Sequence, residues 1–445
     1  MKRALPTLPS RLLLACLLLL LACNRRVVEP DGYYLVYPEY RPVLMARAAL
    51  EGAVAALPAQ ALHNTGKLYL LGDYVFVNEK YEGIHVIDNH DPAHPQPVSF
   101  LRIPGNVDMA VRGSVLYADS GPDLVALDIS NPAAARVLGR TRSAFPELPM
   151  PGIGQLEEAA LPANRPAGSV VVGWRKLAPG EAVPIRVNTS RNGGIANVLT
   201  FSASPSASSA APSATGKGGS LARFAIAGSM LYVVDDQSLR LFELQNPAQP
   251  APGPVSRIGF GIETIFPQGS YLFLGSQTGM FVYDISQPAS PKWVSTVSHA
   301  RSCDPVVVDG RFAYVTLRSA PAAASSSPAG SLISISPCGP TNTNQLDVID
   351  LTNLSRPQLA RVYPMTGPQG LGAENNRLYV CDDMLRVFDT SQAPALTPVQ
   401  QVQVALTDVI PNGRYLLGVG PGGLYQFALG ATVQQLSVLP ITPTP

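Results

Sequence analysis

The sequence predicts an all-β fold, a closed ring of four-stranded sheets, and three observations carry that prediction. A turn glycine, a short β-rich segment and an apolar strand ending in an acid recur together along the chain. Gly72 and Gly113, then Gly228, Gly269 and Gly310, lie about 40 residues apart, the period of a four-stranded propeller blade. Proline (43 residues) and glycine (38) are abundant, which suits a turn-rich β chain better than a helical one.

At the N-terminus, Lys2, Arg3 and Arg11 accompany an apolar run from Leu12 to Leu21, interrupted by Ala15 and Cys16. The run is half of the roughly 20 residues that a membrane span needs, and fits the core of a signal peptide. Leu20-Leu21-Ala22-Cys23 closes it. This stretch resembles the lipobox of bacterial lipoproteins, which implies that 1–22 is a signal peptide and that Cys23 carries the lipid. Asn24, rather than Asp, follows the cysteine; by resemblance to known sorting behaviour this favours the outer membrane of a Gram-negative cell. Residues 23–60 contain Arg25, Arg26, Pro30, Tyr33 and Tyr34 without periodicity and are expected to form a tether.

From residue 61 to 432 the copies follow in order. Gly72 leads Tyr74-Val75-Phe76-Val77 and then Gly83-Ile84-His85-Val86-Ile87-Asp88. Gly113 leads Val115-Leu116-Tyr117-Ala118 and Leu124-Val125-Ala126-Leu127-Asp128. Gly228, Gly269 and Gly310 lead equivalent pairs ending at Glu243, Asp284 and Asp350. Arg377-Leu378-Tyr379-Val380 precedes Leu385-Arg386-Val387-Phe388-Asp389, and Gly413 leads a last copy ending near Phe427. A strand before the glycine (Asn106 to Val111 is one) and another after the Asn/Gln-Pro turn (Val98 to Ile103) complete four strands per copy. One such sheet cannot bury both faces, whereas sheets packed radially can. Seven copies predict a seven-bladed β-propeller; six to eight blades are compatible, because the long stretch between Gly113 and Gly228 has room for a degenerate sheet. Residues 433–445 are expected to be a tail. Acids closing the third strand (Asp88, Asp128, Asp284, Asp350, Asp389) recur too regularly for a single site and are expected to fix turns by accepting backbone N–H bonds.

The Leu-Val-Ala-Leu-Asp-Ile-Ser, Leu-Arg-Leu-Phe-Glu-Leu and Leu-Asp-Val-Ile-Asp-Leu strands, with connecting motifs such as Gly105-Asn106-Val107-Asp108 and Cys303-Asp304-Pro305-Val306, resemble the LVIVD repeat of bacterial surface and lipoprotein β-propellers. The resemblance covers nearly all of 65–430. It implies the fold and carries no established reaction.

Two insertions break the period, near 143–220 and 319–345. The first contains the strand-like Val170-Val171-Val172-Gly173-Trp174-Arg175 and a Ser/Ala/Pro stretch, 202–214, too poor in apolar residues to order itself. After processing, Cys23, Cys303, Cys338 and Cys381 remain. Cys303 and Cys338 bracket the second insertion and are expected to pair, as suits an oxidising compartment. Cys381 lies on a strand and reads as packing.

Net charge is +1 and charged residues make up 14 %, against about 25 % in a typical globular chain. No basic run follows the signal peptide, so nucleic-acid binding lacks its electrostatic footprint. His90 and His94 sit in Asn89-His90-Asp91-Pro92-Ala93-His94-Pro95, where proline excludes the helix that would put them on one face, and they read as a surface turn. Gly216-Lys217-Gly218-Gly219-Ser220 lacks the residues of a phosphate loop. The strongest constellation is positional. Asp108, Glu263, Asp304 and Asp408 recur at the start of the innermost strand, with Arg223 in the corresponding place of the third copy. They are candidates for one channel mouth, able to hold Ca2+ or another divalent cation, or basic groups of a partner. No catalytic set and no cofactor is read. The expectation is a non-enzymatic lipoprotein of the cell envelope, binding an envelope protein or surface polymer; a periplasmic oxidoreductase or hydrolase and a cation-binding module are the alternatives.

Overall fold

Seven four-stranded antiparallel sheets form the ring in a computed structural model of the chain, which describes residues 33–36, 40–151, 165–178, 181, 185–188, 216–319, 338 and 342–442. Blade 1 runs outward from Thr65–Leu71 through Tyr74–Glu79 and Gly83–Asp88 to Gln96–Arg102. The innermost strands of blades 2 to 7 are Met109–Arg112, Phe224–Ala227, Ile262–Gln268, Val306–Asp309, Leu371–Glu374 and Asp408–Pro411. Each touches the next, and that of blade 7 touches that of blade 1, so the ring closes.

Burial follows radial position. Second and third strands are covered on both faces by neighbouring blades and read as apolar runs, Val75-Phe76-Val77 and Leu124-Val125-Ala126-Leu127 among them, all buried. Outer strands, that of blade 1 excepted, have one wet edge, and Gln358–Pro364 is almost wholly exposed. Apolar clusters fill the gaps between blades. Tyr232 and Leu241 of blade 3 meet Leu272 and Leu274 of blade 4, and Leu68, Val75 and Val77 meet Leu417 and Val419 across the seam between blades 1 and 7. Each such fully buried aliphatic side chain stabilises the ring by about 1.5–3 kcal/mol relative to exposure.

Turn chemistry explains the repeat. The glycine between first and second strands takes a left-handed backbone, with φ of 56° at Gly72 and 59° at Gly113; blade 6 has no glycine there and uses Asn375 and Asn376 at 53° and 56°. The acids closing the third strands behave as expected. Oδ1 of Asp88, Asp128, Asp284, Asp350 and Asp389 accepts the backbone N–H two residues on, at 2.7–3.0 Å. We call the face with the first-to-second turns lower, and the face where the innermost strands begin upper.

Several expected boundaries shift. The segment expected as a tether carries a strand, Tyr40–Ala46, a helix, Arg47–Ala53, and a strand, Ala55–Leu57. Tyr40–Ala46 pairs with Ser169–Lys176 of the first insertion, while Ala55–Leu57 extends blade 1 outward along Gln96–Arg102 and so covers that edge. Arg47 and Arg140 both bond the fully buried Asp123, at 2.6 and 2.8 Å, tying this segment to blade 2. The expected tail holds Gln434–Pro440, the outermost strand of blade 7; it is mostly exposed and lacks the apolar run of an inner strand. Cys303 and Cys338 are joined by a disulfide on the upper face of blade 5, and Cys381 is a buried free thiol. Cys23 and 202–214 lie outside the described residues.

Candidate ligand-binding site

The end of the first insertion does not stay at the surface. Lys217–Gly218 pairs antiparallel with Leu70 and Tyr69 of the innermost strand of blade 1, on the edge that faces the ring's axis. The chain therefore climbs the central channel from the lower face and turns at the upper mouth into blade 3. The Gly216 N–H donates to Val111 O of blade 2 at 3.1 Å, and the Gly219 N–H to Leu68 O of blade 1 at 3.2 Å. Lys217 Nζ reaches Glu374 Oε1 of blade 6 at 3.2 Å and Pro411 O of blade 7 at 2.9 Å. Ser220 Oγ donates to Asp408 Oδ1 at 2.8 Å and accepts the Leu371 N–H at 2.9 Å. One short segment thus bonds blades 1, 2, 6 and 7 from within. The small residues of Gly216-Lys217-Gly218-Gly219-Ser220 are what this needs: a Cβ on Gly219 would lie 2.0 Å from Asp408 Oδ2.

This plug accounts for part of the expected ring of acids. Asp408 accepts the N–H groups of Ser220 (3.2 Å), Leu221 (3.4 Å) and Val409 (3.0 Å) besides the Ser220 hydroxyl. Burial still raises its carboxyl to about 6, against the opposing pull of the Ser220 hydrogen bond. Asp108 takes the Met109 N–H at 2.7 Å and the Arg223 N–H, and burial raises it too. Glu263 accepts Gln277 Nε2 at 3.2 Å and is raised by burial. Asp304 lies 2.9 Å from His299 Nε2 through one oxygen, while its other oxygen is buried without a partner among the described residues; burial pushes it well above the usual carboxylate range. The acids line the upper end of the channel, but they are interspersed with cations and turned to separate partners. Among the described residues no three His, Cys, Asp or Glu side chains form a metal-holding group.

Lys67 belongs to the same ring and is absent from the expected set. It stands as far before Gly72 as Asp108 does before Gly113 and Arg223 before Gly228, so the repeat register could have placed it. Burial lowers its ammonium pKa, opposed by the charges of Asp108, Asp408 and Glu263.

Above the plug, the upper face holds two adjoining cavities of about 530 and 230 Å3. Both are lined by Val107, Leu148, Pro149, Arg223 and Asp236. The roof is the start of the first insertion. Phe145 packs on Phe224 and Phe242 with ring centroids 5.7 Å apart in each case, and Trp174 Nε1 donates to Leu148 O at 3.1 Å. Leu148, Met150, Val171 and Trp174 share an apolar cluster with Tyr81 and Val107 of the propeller, which fixes the roof in place. The Arg165–Glu147 ion pair braces it from outside. Asp119 opens on the larger cavity and holds the N–H groups of Val107 (2.7 Å) and Asp108 (3.1 Å) and the Asn106 amide (2.8 Å) on a single oxygen. Burial, assisted by the charge of Asp108, raises it to about 7. Among the described residues neither His nor Cys lines either cavity.

The LVIVD repeat profile matches residues 64–99, 106–141, 265–298 and 341–364, which fall on blades 1, 2, 4 and the outer half of blade 5. No curated protein matches the chain. Among solved structures it is similar to the periplasmic gluconolactonase PpgL of Pseudomonas aeruginosa, at 15 % identity and a TM-score of 0.46 over 88 % of this chain and 98 % of that one. It is also similar to BamB from Moraxella catarrhalis (8 % identity, TM-score 0.42, 85 % and 94 % covered) and to Sqt1 of Saccharomyces cerevisiae (9 %, 0.48, 87 % and 89 %).

Proposed function

We propose that this chain is a lipid-anchored, non-enzymatic binding propeller of the cell envelope whose recognition surface is the roofed upper face. The observation that carries the reading is the pairing of a filled channel with an open, charged cavity directly above it. The chain's own plug occupies the axis where other ligands would enter. The upper face, in contrast, combines a concave apolar surface with a small number of polar groups, the general character of a ligand site. The disulfide supports an oxidising location, and the Leu20-Leu21-Ala22-Cys23 run supports an anchor at Cys23. The partner class we propose is an envelope protein or surface polymer.

The test is crosslinking in intact cells producing the full-length chain, with captured partners identified by mass spectrometry. Deleting 143–220 is unsuitable, because it removes the plug with the roof. The double variant Arg223→Met, Asp236→Asn on the upper face should lose the partner, and Arg414→Ser on the lower face should keep it. A partner retained by the upper-face variant, or none at all from the correctly anchored protein, would refute the reading.

A further inference from the structure

Arg223 is the unusual residue of the upper face. Its backbone N–H is held by Asp108, and it lines both cavities, yet its guanidinium has no hydrogen-bond or ion-pair partner among the described residues. Its charge is felt by Lys80, Tyr81, Asp236 and Glu263, which surround the smaller cavity. Asp236 faces the same space, and its Oδ2 is buried without a partner among the described residues. The other ionisable groups around the larger cavity are engaged elsewhere: Asp235 with Arg240 at 2.8 Å, Glu147 with Arg165, and Asp108 and Asp119 with backbone N–H groups. A cation and an anion therefore share one cavity, close enough to feel each other and not bonded to each other. A buried polar atom without a partner is costly, so a ligand that satisfies both groups is favoured by both. Beyond the charges, Phe145, Leu148, Phe224 and Val233 supply an apolar wall.

We propose that this cavity binds a free α-amino acid with a large apolar side chain, its carboxylate on Arg223, its ammonium on Asp236, and its side chain against Phe145, Leu148, Phe224 and Val233. Only a ligand with adjacent opposite charges meets both unpartnered groups at once. A plain carboxylate leaves Asp236 unmet, and a plain amine leaves Arg223 unmet. Guanidinium is suited to the first contact because its planar fork pairs with a carboxylate through two parallel bonds. The inference rests on the upper face being the recognition surface.

The experiment is isothermal titration of the mature protein with L-phenylalanine and L-leucine, beside N-acetyl-phenylalanine and phenylalanine amide. The free amino acids should bind, and each capped derivative should bind at least tenfold more weakly. Arg223→Met should abolish discrimination against the amide, and Asp236→Asn discrimination against the acetylated form, with unchanged circular-dichroism melting as the fold control. Equal binding of free and capped forms, or no binding at millimolar concentration by the folded protein, overturns the inference. Should the amino acids fail while the crosslinked partner still depends on Arg223 and Asp236, this inference falls and the recognition surface stands.

Discussion

Replacing Gly219 by alanine tests the plug with a single methyl group. The added Cβ would sit 2.0 Å from Asp408 Oδ2, well inside any allowed contact. The carboxylate cannot swing aside freely, because the Ser220 hydroxyl and three backbone N–H groups hold it. Either the plug backs out of the channel or Asp408 gives up these bonds in a site where it is only 1 % exposed. Leaving one buried polar group unsatisfied costs about 1–3 kcal/mol. Two such groups are at stake here, the carboxylate and the Leu371 N–H that Ser220 Oγ accepts. The expected loss is about 3 kcal/mol, read as a lower urea midpoint with an unchanged slope. Ser220→Ala, which removes the hydroxyl and adds no bulk, should cost less, about 1–2 kcal/mol. If Gly219→Ala is as stable as the parent within about 0.5 kcal/mol, a change typical of uninvolved surface sites, the close contact does not exist and the reasoning fails.

Other outcomes follow from the same physics. Asp119 and Asp408 are raised to about 7 and about 6 by burial, so the folded chain holds their protons more tightly than the unfolded chain does. Their contribution is fully present below the ordinary carboxylate value and is lost as pH rises through 6–7. The unfolding midpoint should therefore fall between pH 5 and pH 8, and Asp119→Asn should flatten that fall; an unchanged slope in the variant would exclude Asp119 as a source. Cys338→Ser opens a loop of 35 residues and should cost about 3–4 kcal/mol on the chain-entropy account, measured by denaturation. A thiol count on the denatured, unreduced, lipidated chain should find one reactive group, Cys381; three would break the pairing. Cys23→Ser should move the protein from the detergent phase to the aqueous phase in a phase-separation assay, and continued detergent partitioning would remove the anchor.

What was legible in the sequence was what repeats. The turn glycines, the acids two residues before a capped N–H and the apolar second and third strands recur because every blade solves the same packing problem. Blade 6 was legible despite its missing glycine because its strands, Arg377–Val380 and Leu385–Asp389, keep the pattern; that Asn375 and Asn376 take over the left-handed turn is visible only in the structure. The channel acids were legible as a position, since Asp108 and Asp408 stand alike relative to Gly113 and Gly413. Lys67 was equally legible by that register, but an acid pattern alone passes over a lysine. The plug was not legible. Its strand is the pair Lys217–Gly218, too short for any periodicity, and it bonds residues far away along the chain. The smallness of its residues takes on meaning only once the pairing in the channel is known. Tyr40–Ala46 and Gln434–Pro440 are illegible for a different reason. Each lies at a margin where one side stays wet, so neither shows the apolar run that marks a blade's interior.

The central claim is that the channel is filled from within, which leaves the upper face to bind. Hydrogen–deuterium exchange on the mature protein tests it most directly, because the amides of Gly216, Gly219, Ser220 and Leu221 donate to the ring. The account predicts that these amides exchange as slowly as those of Leu68 to Leu70 and Val409 to Ile410. Exchange at the rate of an exposed loop would mean an open channel, and would contradict it.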